Sequence, residues 1–285
     1  MSRTEDAFAA RWFSGAALYG DDFNAAQIAQ WFADEEHGYA ELAGADRATH
    51  RYGYTAFNVH NGFARLPRDA RSSGSTVPAS PDRFARALGF GSNFGDELLP
   101  LLPRIDELVL LDASSRYVVG DLAGKPVRYV LAQASGQVAL PDTSVDLVTA
   151  FSVLHHIPNV SFVLGELSRV MTRGGWLLLR EPVTSMGDWR VARRGLTRRE
   201  RGIPRDWLVA QLQRCGLDIV SQRDCQFPPW VRLGHKLGIN VFDNRAAVAV
   251  DGWLSRAFAW NAHYHRPGLW RKFAPASVFI VARKR

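Results

Sequence analysis

One stretch near residue 90 constrains the fold of this chain more than any other. An apolar strand over 85–91 runs into a glycine-dense turn, from which a helix over 95–102 begins. A second apolar strand, 107–112, follows and ends on Asp112. A strand, a glycine-rich turn and a helix N-terminus let backbone N–H groups approach a ligand closely, and an acid at the tip of the next strand suits the two hydroxyls of a ribose. The pattern therefore predicts a nucleoside-binding α/β unit.

Apolar strands continue to alternate with amphipathic helices from Arg83 to the end of the chain. We predict strands at 85–91, 107–112, 127–132, 145–151, 175–181, 217–223 and 277–283, helices at 95–102, 114–121, 161–172 and 204–215, and an irregular aromatic stretch at 226–272. Asn159 or Ser161 is expected to cap the helix at 161–172, and Gly174-Gly175 to end it. This alternation predicts an α/β fold with a parallel sheet covered by helices on both faces. The last strand is expected to run antiparallel, because no crossover helix directly precedes it.

The chain divides into three regions by composition. Residues 1–82 form a helical, aromatic lid region that ends in a Ser-, Gly- and Pro-rich linker at 71–82. Residues 83–184 contain the glycine turn and the regular alternation, so they are the expected core. Residues 185–285 are expected to supply an arginine-rich insertion on the substrate side and the strands that complete the sheet.

Positive charge is concentrated in one segment. The chain has 35 basic and 28 acidic residues, a net charge of +7, and nine arginines lie between Arg180 and Arg214. One interpretation is a solvated helical face. The other is a site for an anionic substrate, because the planar guanidinium fork suits phosphate or carboxylate.

Cysteine content and hydropathy bear on location and metal content. Cys215 and Cys225 are too few for a disulfide framework, and no Cys/His spacing predicts zinc, so no metal is expected. No apolar run reaches the roughly 18 residues that a membrane span needs. The first residues lack the basic-then-apolar pattern of a signal peptide. We therefore expect a cytoplasmic protein without a membrane span.

Several motifs between Leu140 and Pro182 occur in a specific order and spacing. They are Leu140-Pro141-Asp142-Thr143-Ser144-Val145-Asp146-Leu147-Val148, Val153-Leu154-His155-His156-Ile157 and Gly174-Gly175-Trp176-Leu177-Leu178-Leu179-Arg180-Glu181-Pro182. Together they resemble the class I S-adenosylmethionine-dependent methyltransferases, with their L-P-x-x-x-S-F-D-L-V, V-L-H-H-I and L-L-L-x-E-P motifs. The resemblance covers residues 84–183 closely. It implies a Rossmann-like seven-stranded sheet with the last strand antiparallel, and S-adenosyl-L-methionine as cofactor.

The resemblance also implies which residues hold that cofactor. Gly91 and Gly95 would let the methionine part pass close to the backbone, Asp112 would bind the ribose hydroxyls, and residues 133–135 would flank the adenine. The full expected set is Gly89, Gly91, Ser92, Asn93, Gly95, Asp112, Ala113, Ser114, Gln133, Ala134, Ser135, Phe151, Ser152 and His155.

Two positions depart from the family's pattern. Gly89 stands where the family usually has an acid in the first strand, and Ala134 or Ser135 where it often has an acid near the adenine amino group. Asp96, Gln133 or a backbone group could substitute. The L-G-F-G-S-x-x-G-D-E form of the glycine loop and the R-E-P-x-x-S-M-G-D-W motif are similar to a narrower subgroup of bacterial methyltransferases, in which Gly89 belongs to a variant site.

Four residues are candidates for the chemistry: His155, His156, Glu181 and Asp188. Methyl transfer from a sulfonium is an in-line displacement, for which the protein positions the nucleophile and removes a proton from a hydroxyl or amine. Both histidines follow the fourth strand, beside the expected methyl position; capping or packing is their alternative role. The two acids could hold a substrate hydroxyl or could instead pair with neighbouring arginines.

Seven residues are candidates for substrate binding. The arginines would receive an anionic group, and the aromatic and amide residues at 52–61 suit a lid over a polar ligand, with core packing as the alternative for Tyr52 and Phe57. The seven are Arg180, Arg190, Arg194, Arg198, Arg201, Tyr54 and Asn58.

These features lead to one main functional hypothesis and two alternatives. The main one is a methyltransferase acting on an oxygen or nitrogen of a small polar acceptor, anionic or glycan-linked. The alternatives are a nucleoside-binding protein on the same fold that does not methylate, and an RNA methyltransferase, which the positive charge favours but the lack of a dedicated RNA module disfavours. The expected partners are a small-molecule or glycan substrate and a second copy in a homodimer, not nucleic acid.

Overall fold

The structure is a computed structural model that describes residues 10–42, 47–67, 83–189, 191 and 193–285. The linker predicted at 71–82 and the candidate Arg190 lie outside the described residues. Helices α1 (Ala25–Leu42) and α2 (Thr55–Asn61) precede the sheet. The described N-terminal residues also include non-helical segments at 13–24 and 47–54.

An eight-stranded mixed sheet forms the centre of the fold. Its strands are β1 (Phe84–Phe90), β2 (Ile105–Asp112), β3 (Asp121–Leu122), β4 (Lys125–Leu131), β5 (Val145–Phe151), β6 (Met171–Pro182), β7 (Leu217–Cys225) and β8 (Ser277–Lys284), in the order β3-β4-β2-β1-β5-β6-β8-β7. Strands β4, β2, β1, β5 and β6 run parallel, and β8 lies antiparallel between β6 and β7. The Rossmann-like fold and the antiparallel last strand are confirmed. The strand beyond the predicted seven is β3, a two-residue strand antiparallel to β4.

Four further helices follow the glycine turn. They are α3 (Val160–Val170), α4 (Arg205–Arg214), α5 (Pro228–Lys236) and α6 (Arg245–Ala257). The last two fall in the stretch 226–272, so the prediction of an irregular segment there is wrong. The helix predicted at 114–121 is only a 3-10 turn over Ser115–Tyr117. The helix predicted at 95–102 is a 3-10 helix over Asp96–Arg104 that contains two prolines, which lack the N–H that an α-helical bond needs.

The start and end of α3 differ from the sequence prediction. Asn159 precedes the helix but its side chain makes no cap bond; the carboxylate of Asp21 instead accepts the backbone N–H of Ser161 at 2.7 Å. Gly174-Gly175 lies inside β6, because the helix already ends at Val170. A residue distant in sequence therefore caps this helix, which local pattern could not indicate.

Side chains of the central strands alternate between two apolar layers. In β6, Leu177 and Leu179 pack in the layer that includes Leu164 of α3, whereas Leu178 packs in the layer that includes Phe57 of α2. Successive strand residues point to opposite faces, so a continuous apolar run fills both layers. This is why the core strands are apolar throughout. Among the described residues, no helix combines the length and apolarity needed to cross a bilayer.

Candidate active site

The turn after β1 lies close to the ends of β2 and β5. Gly91, with φ of +66°, donates its N–H to the carbonyl of Leu111 at 2.7 Å, and a Cβ on it would lie 2.1 Å from Cγ2 of Val153. Asn93, with φ of +49°, donates its backbone N–H to Oδ2 of Asp112 at 2.9 Å. Residues that tolerate left-handed backbone are needed at both positions. The turn amides and the carboxylate that ends β2 are therefore held together.

Glycine at position 89 has a steric cause. A Cβ on Gly89 would lie 2.3 Å from Oγ of Ser92 and 2.9 Å from Cδ2 of Leu110, so an acidic side chain does not fit there. A different buried carboxyl group lies close to this position: the side chain of Glu97 is buried and hydrogen-bonds to Ser92, the residue that a Cβ at position 89 would meet. Burial raises the pKa of Glu97 to about 7, and its Oε1 atom has no hydrogen-bond partner among the described residues. Asp96, the substitute that the sequence offered, instead pairs with Arg47.

Asp112 is buried at the carboxyl end of β2. Its Oδ2 accepts the N–H of Asn93, and its Oδ1 accepts the N–H of Ser114 at 3.2 Å. Burial raises the pKa of Asp112, although these backbone N–H groups act in the opposite direction. With the backbone N–H of Ala113 as a third donor, the carboxylate keeps one of its four acceptor sites for another donor.

A cavity of about 280 Å³ lies over the carboxyl ends of β1, β2, β4 and β5, close to the lower end of the roughly 300–1,000 Å³ usual for small-molecule sites. Nine of the predicted site residues line it: Gly91, Asn93, Asp112, Ala113, Ser114, Gln133, Ala134, Ser152 and His156. The other described candidates do not line it: Gly89, Ser92, Gly95, Ser135, Phe151, His155, Glu181, Asp188, Arg180, Arg194, Arg198, Arg201, Tyr54 and Asn58.

Glu181 shapes the turn after β5 from beneath. Its Oε1 accepts the backbone N–H groups of Val153 and Leu154 at 2.9 and 2.8 Å, and its side chain is fully buried. His155 is 5% exposed and donates Nδ1–H to Glu181 at 2.7 Å, while its Nε2 lies 3.4 Å from Oε1 of Glu200. Burial opposes the charged imidazole, but the two carboxylates outweigh it and raise the pKa of His155 to about 9. The geometry thus makes His155 and Glu181 supports of the turn.

His156 faces the cavity, and a glutamate of α1 holds it. Its Nδ1 donates to Oε2 of Glu35 at 2.7 Å. The same Glu35 oxygen accepts the hydroxyl of Thr197 at 2.7 Å, and Oε1 accepts the backbone N–H of Arg199 at 3.0 Å. The indole of Trp31, one helical turn before Glu35, donates to the carbonyl of His156 at 2.7 Å. Helix α1 therefore fixes both the backbone and the ring of His156.

Donor atoms of His155, His156 and Glu200 lie within 4.8 Å of one another, a separation that metal ligands also show. In the structure, His155 directs each ring nitrogen at a carboxylate. The two imidazole rings lie 4.1 Å apart with an angle of 39° between their planes. Carboxylates therefore already occupy both ring nitrogens of His155 and one ring nitrogen of His156.

Three substrate-binding candidates contact one another instead of the cavity. The guanidinium of Arg180 is 4% exposed and stacks 4.2 Å above the ring of Tyr54. Its Nη1 donates to Oδ1 of Asn58 at 3.2 Å, and its Nη2 donates to Oγ of Ser152 at 3.2 Å. Beside the Arg180 guanidinium, the ring centroids of Phe151 and Phe279 are 5.4 Å apart. Arg180 therefore supports the cavity wall from behind, through Ser152.

The arginine run has structural partners at most described positions. Arg201 is fully buried and donates to the carbonyls of Tyr19, His155 and Ile157, and burial lowers its pKa to about 10. Arg199 pairs with Asp34 of α1 at 2.8 Å. Arg194 and Arg198 are exposed away from the cavity. The run mainly joins the N-terminal region to the turn after β5.

Sequence reasoning missed the part of the cavity that α1 supplies. Phe32, Glu35 and Glu36 line it, as do Arg116 and Tyr117 after β2. A signal was present, because Trp31 and Glu35 are four residues apart on one helical face, and both are buried. The pattern does not reveal that this face packs on the turn that carries His156.

The cavity region coincides with a recognised domain. Residues 88–179 match the family model described as a methyltransferase domain. No curated protein shows significant sequence similarity to the chain.

Solved structures of methyltransferases share the fold at low sequence identity. A proposed sarcosine dimethylglycine methyltransferase from Galdieria sulphuraria is 14% identical with a TM-score of 0.50, over 71% of this chain and 79% of that one. An S-adenosylmethionine-dependent methyltransferase from Mesorhizobium loti is 16% identical with a TM-score of 0.49, over 72% and 94%. A chain from the complex between the Haloferax volcanii Trm112 methyltransferase activator and a proposed methyltransferase is 14% identical. Its TM-score is 0.48, over 90% of this chain and 96% of that one. The match of residues 88–179 to a methyltransferase domain indicates an enzyme, and the structure with a TM-score of 0.50 shows a common fold.

Proposed function

We propose that this enzyme uses S-adenosyl-L-methionine to methylate a nitrogen or oxygen atom of a small polar acceptor. The observation that carries the proposal is the cavity in which the glycine-turn amides and the Asp112 carboxylate meet, within the matched domain. Its position over the carboxyl ends of parallel strands is where α/β sheets bind ligands.

The residues around the cavity fit the cofactor. Asp112 lines the cavity and has acceptor capacity beyond its backbone donors, which suits a ribose hydroxyl. Gly91 presents bare backbone to the cavity, and Gln133 and Ala134 border it after β4, on the side expected for the adenine. S-adenosyl-L-methionine, when bound, supplies a methyl group on a positively charged sulfur, which the lone pair of the acceptor displaces.

His156 is the side chain best placed to accept a proton from the acceptor. Because Nδ1 of His156 donates to Glu35, Nε2 is the ring nitrogen that would accept a proton from the acceptor. Because Thr197 and Arg199 hold Glu35 in turn, the ring has a fixed orientation at the cavity. A positioned imidazole of this kind contributes about 10²–10⁴-fold to a proton-transfer step.

Calorimetric titration with S-adenosyl-L-methionine tests the proposal directly. Asp112→Ala should weaken binding at least tenfold, which corresponds to about 1.4 kcal/mol. Asp106→Ala is the control, because Asp106 lies on the same strand, pairs with Arg83 and does not line the cavity. Equal affinities for both variants, or no binding to the unmodified protein, would contradict the proposal. The homodimer and the cytoplasmic location remain predictions.

A further inference from the structure

We propose that the acceptor is an amine that is positively charged in solution, bound where α1 closes the cavity. This inference rests on the proposed function and narrows it to one substrate class. Glu36 and Phe32 would hold the ammonium group, and His156 would take its proton.

The charges around the cavity separate into two ends. The strand order places β2 and β4 on one side of β1 and β5 on the other. Arg116 and Asp112 belong to the β2 side, where the nucleoside is expected. The β5 side carries His156, to which Glu35 of α1 is hydrogen-bonded, and Glu36, the next residue of α1, also lines the cavity. The acceptor end, beside α1, therefore has two carboxylates and one imidazole nearby, whereas Arg116, the one arginine among the described lining residues, follows β2.

The arginines that would suit an anionic acceptor are engaged elsewhere. Arg201 donates to backbone carbonyls, Arg199 pairs with Asp34, and Arg180 lies behind Ser152. An anion at the acceptor end would therefore face carboxylates without a described guanidinium to balance them. Like charges at short range in a partly desolvated cavity are unfavourable, which argues against phosphate and carboxylate acceptors.

Glu36 and Phe32 have the chemistry that recognises an ammonium group. Glu35 already accepts three hydrogen bonds, so its charge is used to hold His156. Glu36 also lines the cavity, and Phe32 lies four residues earlier on the same helix. A carboxylate with an aromatic ring beside it binds cations through charge and through the ring quadrupole.

An amine also gives His156 a defined task. The ammonium nitrogen must lose a proton to Nε2 before it has a lone pair. That lone pair then forms the N–C bond with the methyl group while the S–C bond breaks, and the electron pair of the broken bond stays on sulfur. The positive charge moves from sulfur to the methylated nitrogen, and His156 later releases its proton to solvent.

Binding to the protein loaded with S-adenosylhomocysteine tests the inference without relying on turnover. The probes are matched sets in which an amine, an alcohol or a carboxylate group is attached to the same hydrocarbon group, for example 2-phenylethylamine, 2-phenylethanol and 3-phenylpropanoate, with aliphatic sets beside them. Calorimetry is done on the unmodified protein, on Glu36→Gln and on Glu107→Gln. Glu107 is a matched control, because it lies exposed on β2, pairs with Arg86 and does not line the cavity.

We expect amines to bind at least fivefold more tightly than their alcohols, and Glu36→Gln to remove about that factor while S-adenosylhomocysteine affinity stays unchanged. Glu107→Gln should leave the preference intact. Tighter binding of the carboxylates, no preference for amines in any set, or equal effects of the two variants would overturn the inference. Failure of S-adenosylhomocysteine itself to bind would instead contradict the proposed function.

Discussion

Replacement of Gly91 by alanine tests the geometry of the cofactor turn. The new Cβ would lie 2.1 Å from Cγ2 and 2.7 Å from Cβ of Val153. Rotation of the valine moves Cγ2 away but not Cβ, and the valine N–H is bound to Glu181, so backbone must shift. Overpacking of this kind costs about 1–3 kcal/mol, and left-handed φ costs an alanine a further 1–2 kcal/mol or so. We expect Gly91→Ala to lower the free energy of unfolding by about 2–5 kcal/mol.

Two further glycines separate the cost of overpacking from the cost of the left-handed backbone. Gly124 also has positive φ (+81°) but nothing within 4 Å of its Cβ position, so Gly124→Ala should show the backbone cost alone. Gly120 has neither a positive φ nor an atom within 4 Å of its Cβ position, so Gly120→Ala should change the free energy of unfolding by less than about 0.5 kcal/mol. In the double variant with Val153→Ala, the contact with Cγ2 is relieved, so the two changes should be non-additive by about 1 kcal/mol.

Urea unfolding followed by tryptophan fluorescence measures all of these variants. The reasoning is refuted if Gly91→Ala costs no more than Gly124→Ala, or if the cycle with Val153→Ala is additive. S-adenosyl-L-methionine affinity should also fall in Gly91→Ala, because this glycine lines the cavity.

The other predictions concern Glu97 and His156. The folded protein keeps the Glu97 proton to about pH 7, whereas the ordinary pKa is 4.5, so the free energy of unfolding should fall by about 3 kcal/mol as pH rises through that interval. Glu97→Gln should flatten this part of the stability–pH profile in urea unfolding and be more stable than the unmodified protein at pH 8; a parallel profile contradicts the assignment. Glu35→Gln should slow methyl transfer at least tenfold in a labelled-methyl assay, while cofactor affinity changes less than twofold. Asp34→Asn, which removes the ion pair with Arg199 outside the cavity, should leave the rate of methyl transfer unchanged. Equal rates for the two variants would exclude Glu35 as the residue that positions His156.

The sequence was sufficient for seven of the eight strands and for nine of the 23 residues that line the cavity. Strands that are apolar throughout, separated by helices, predicted a two-sided parallel sheet, and the turn at Gly91 with Asp112 at the next strand end predicted which edge would bind a ligand. These are local patterns with a fixed geometric meaning. Strand ends that follow directly on the chain, such as Asp112 and Gln133, therefore fell at the cavity as expected.

Charge and histidine patterns were less informative, because each has several satisfactory partners. Arg180 and Arg201 occur in an arginine run that suited an anionic ligand, yet one stacks on Tyr54 and the other binds backbone carbonyls. The pair His155-His156 offered two candidates, of which the sequence slightly favoured His155. Glu181 binds His155, which is internal, and Glu35 binds His156, which lines the cavity.

The sequence alone determined the layered architecture and the sheet edge at which the cavity lies, because strand and turn periodicities act over a few residues. Tertiary structure decided which side chains face the cavity, since that depends on contacts between residues more than a hundred positions apart. The packing of α1 against the turn after β5 brings Glu35 to His156 and adds α1 residues to the cavity wall, and no local pattern contains that contact.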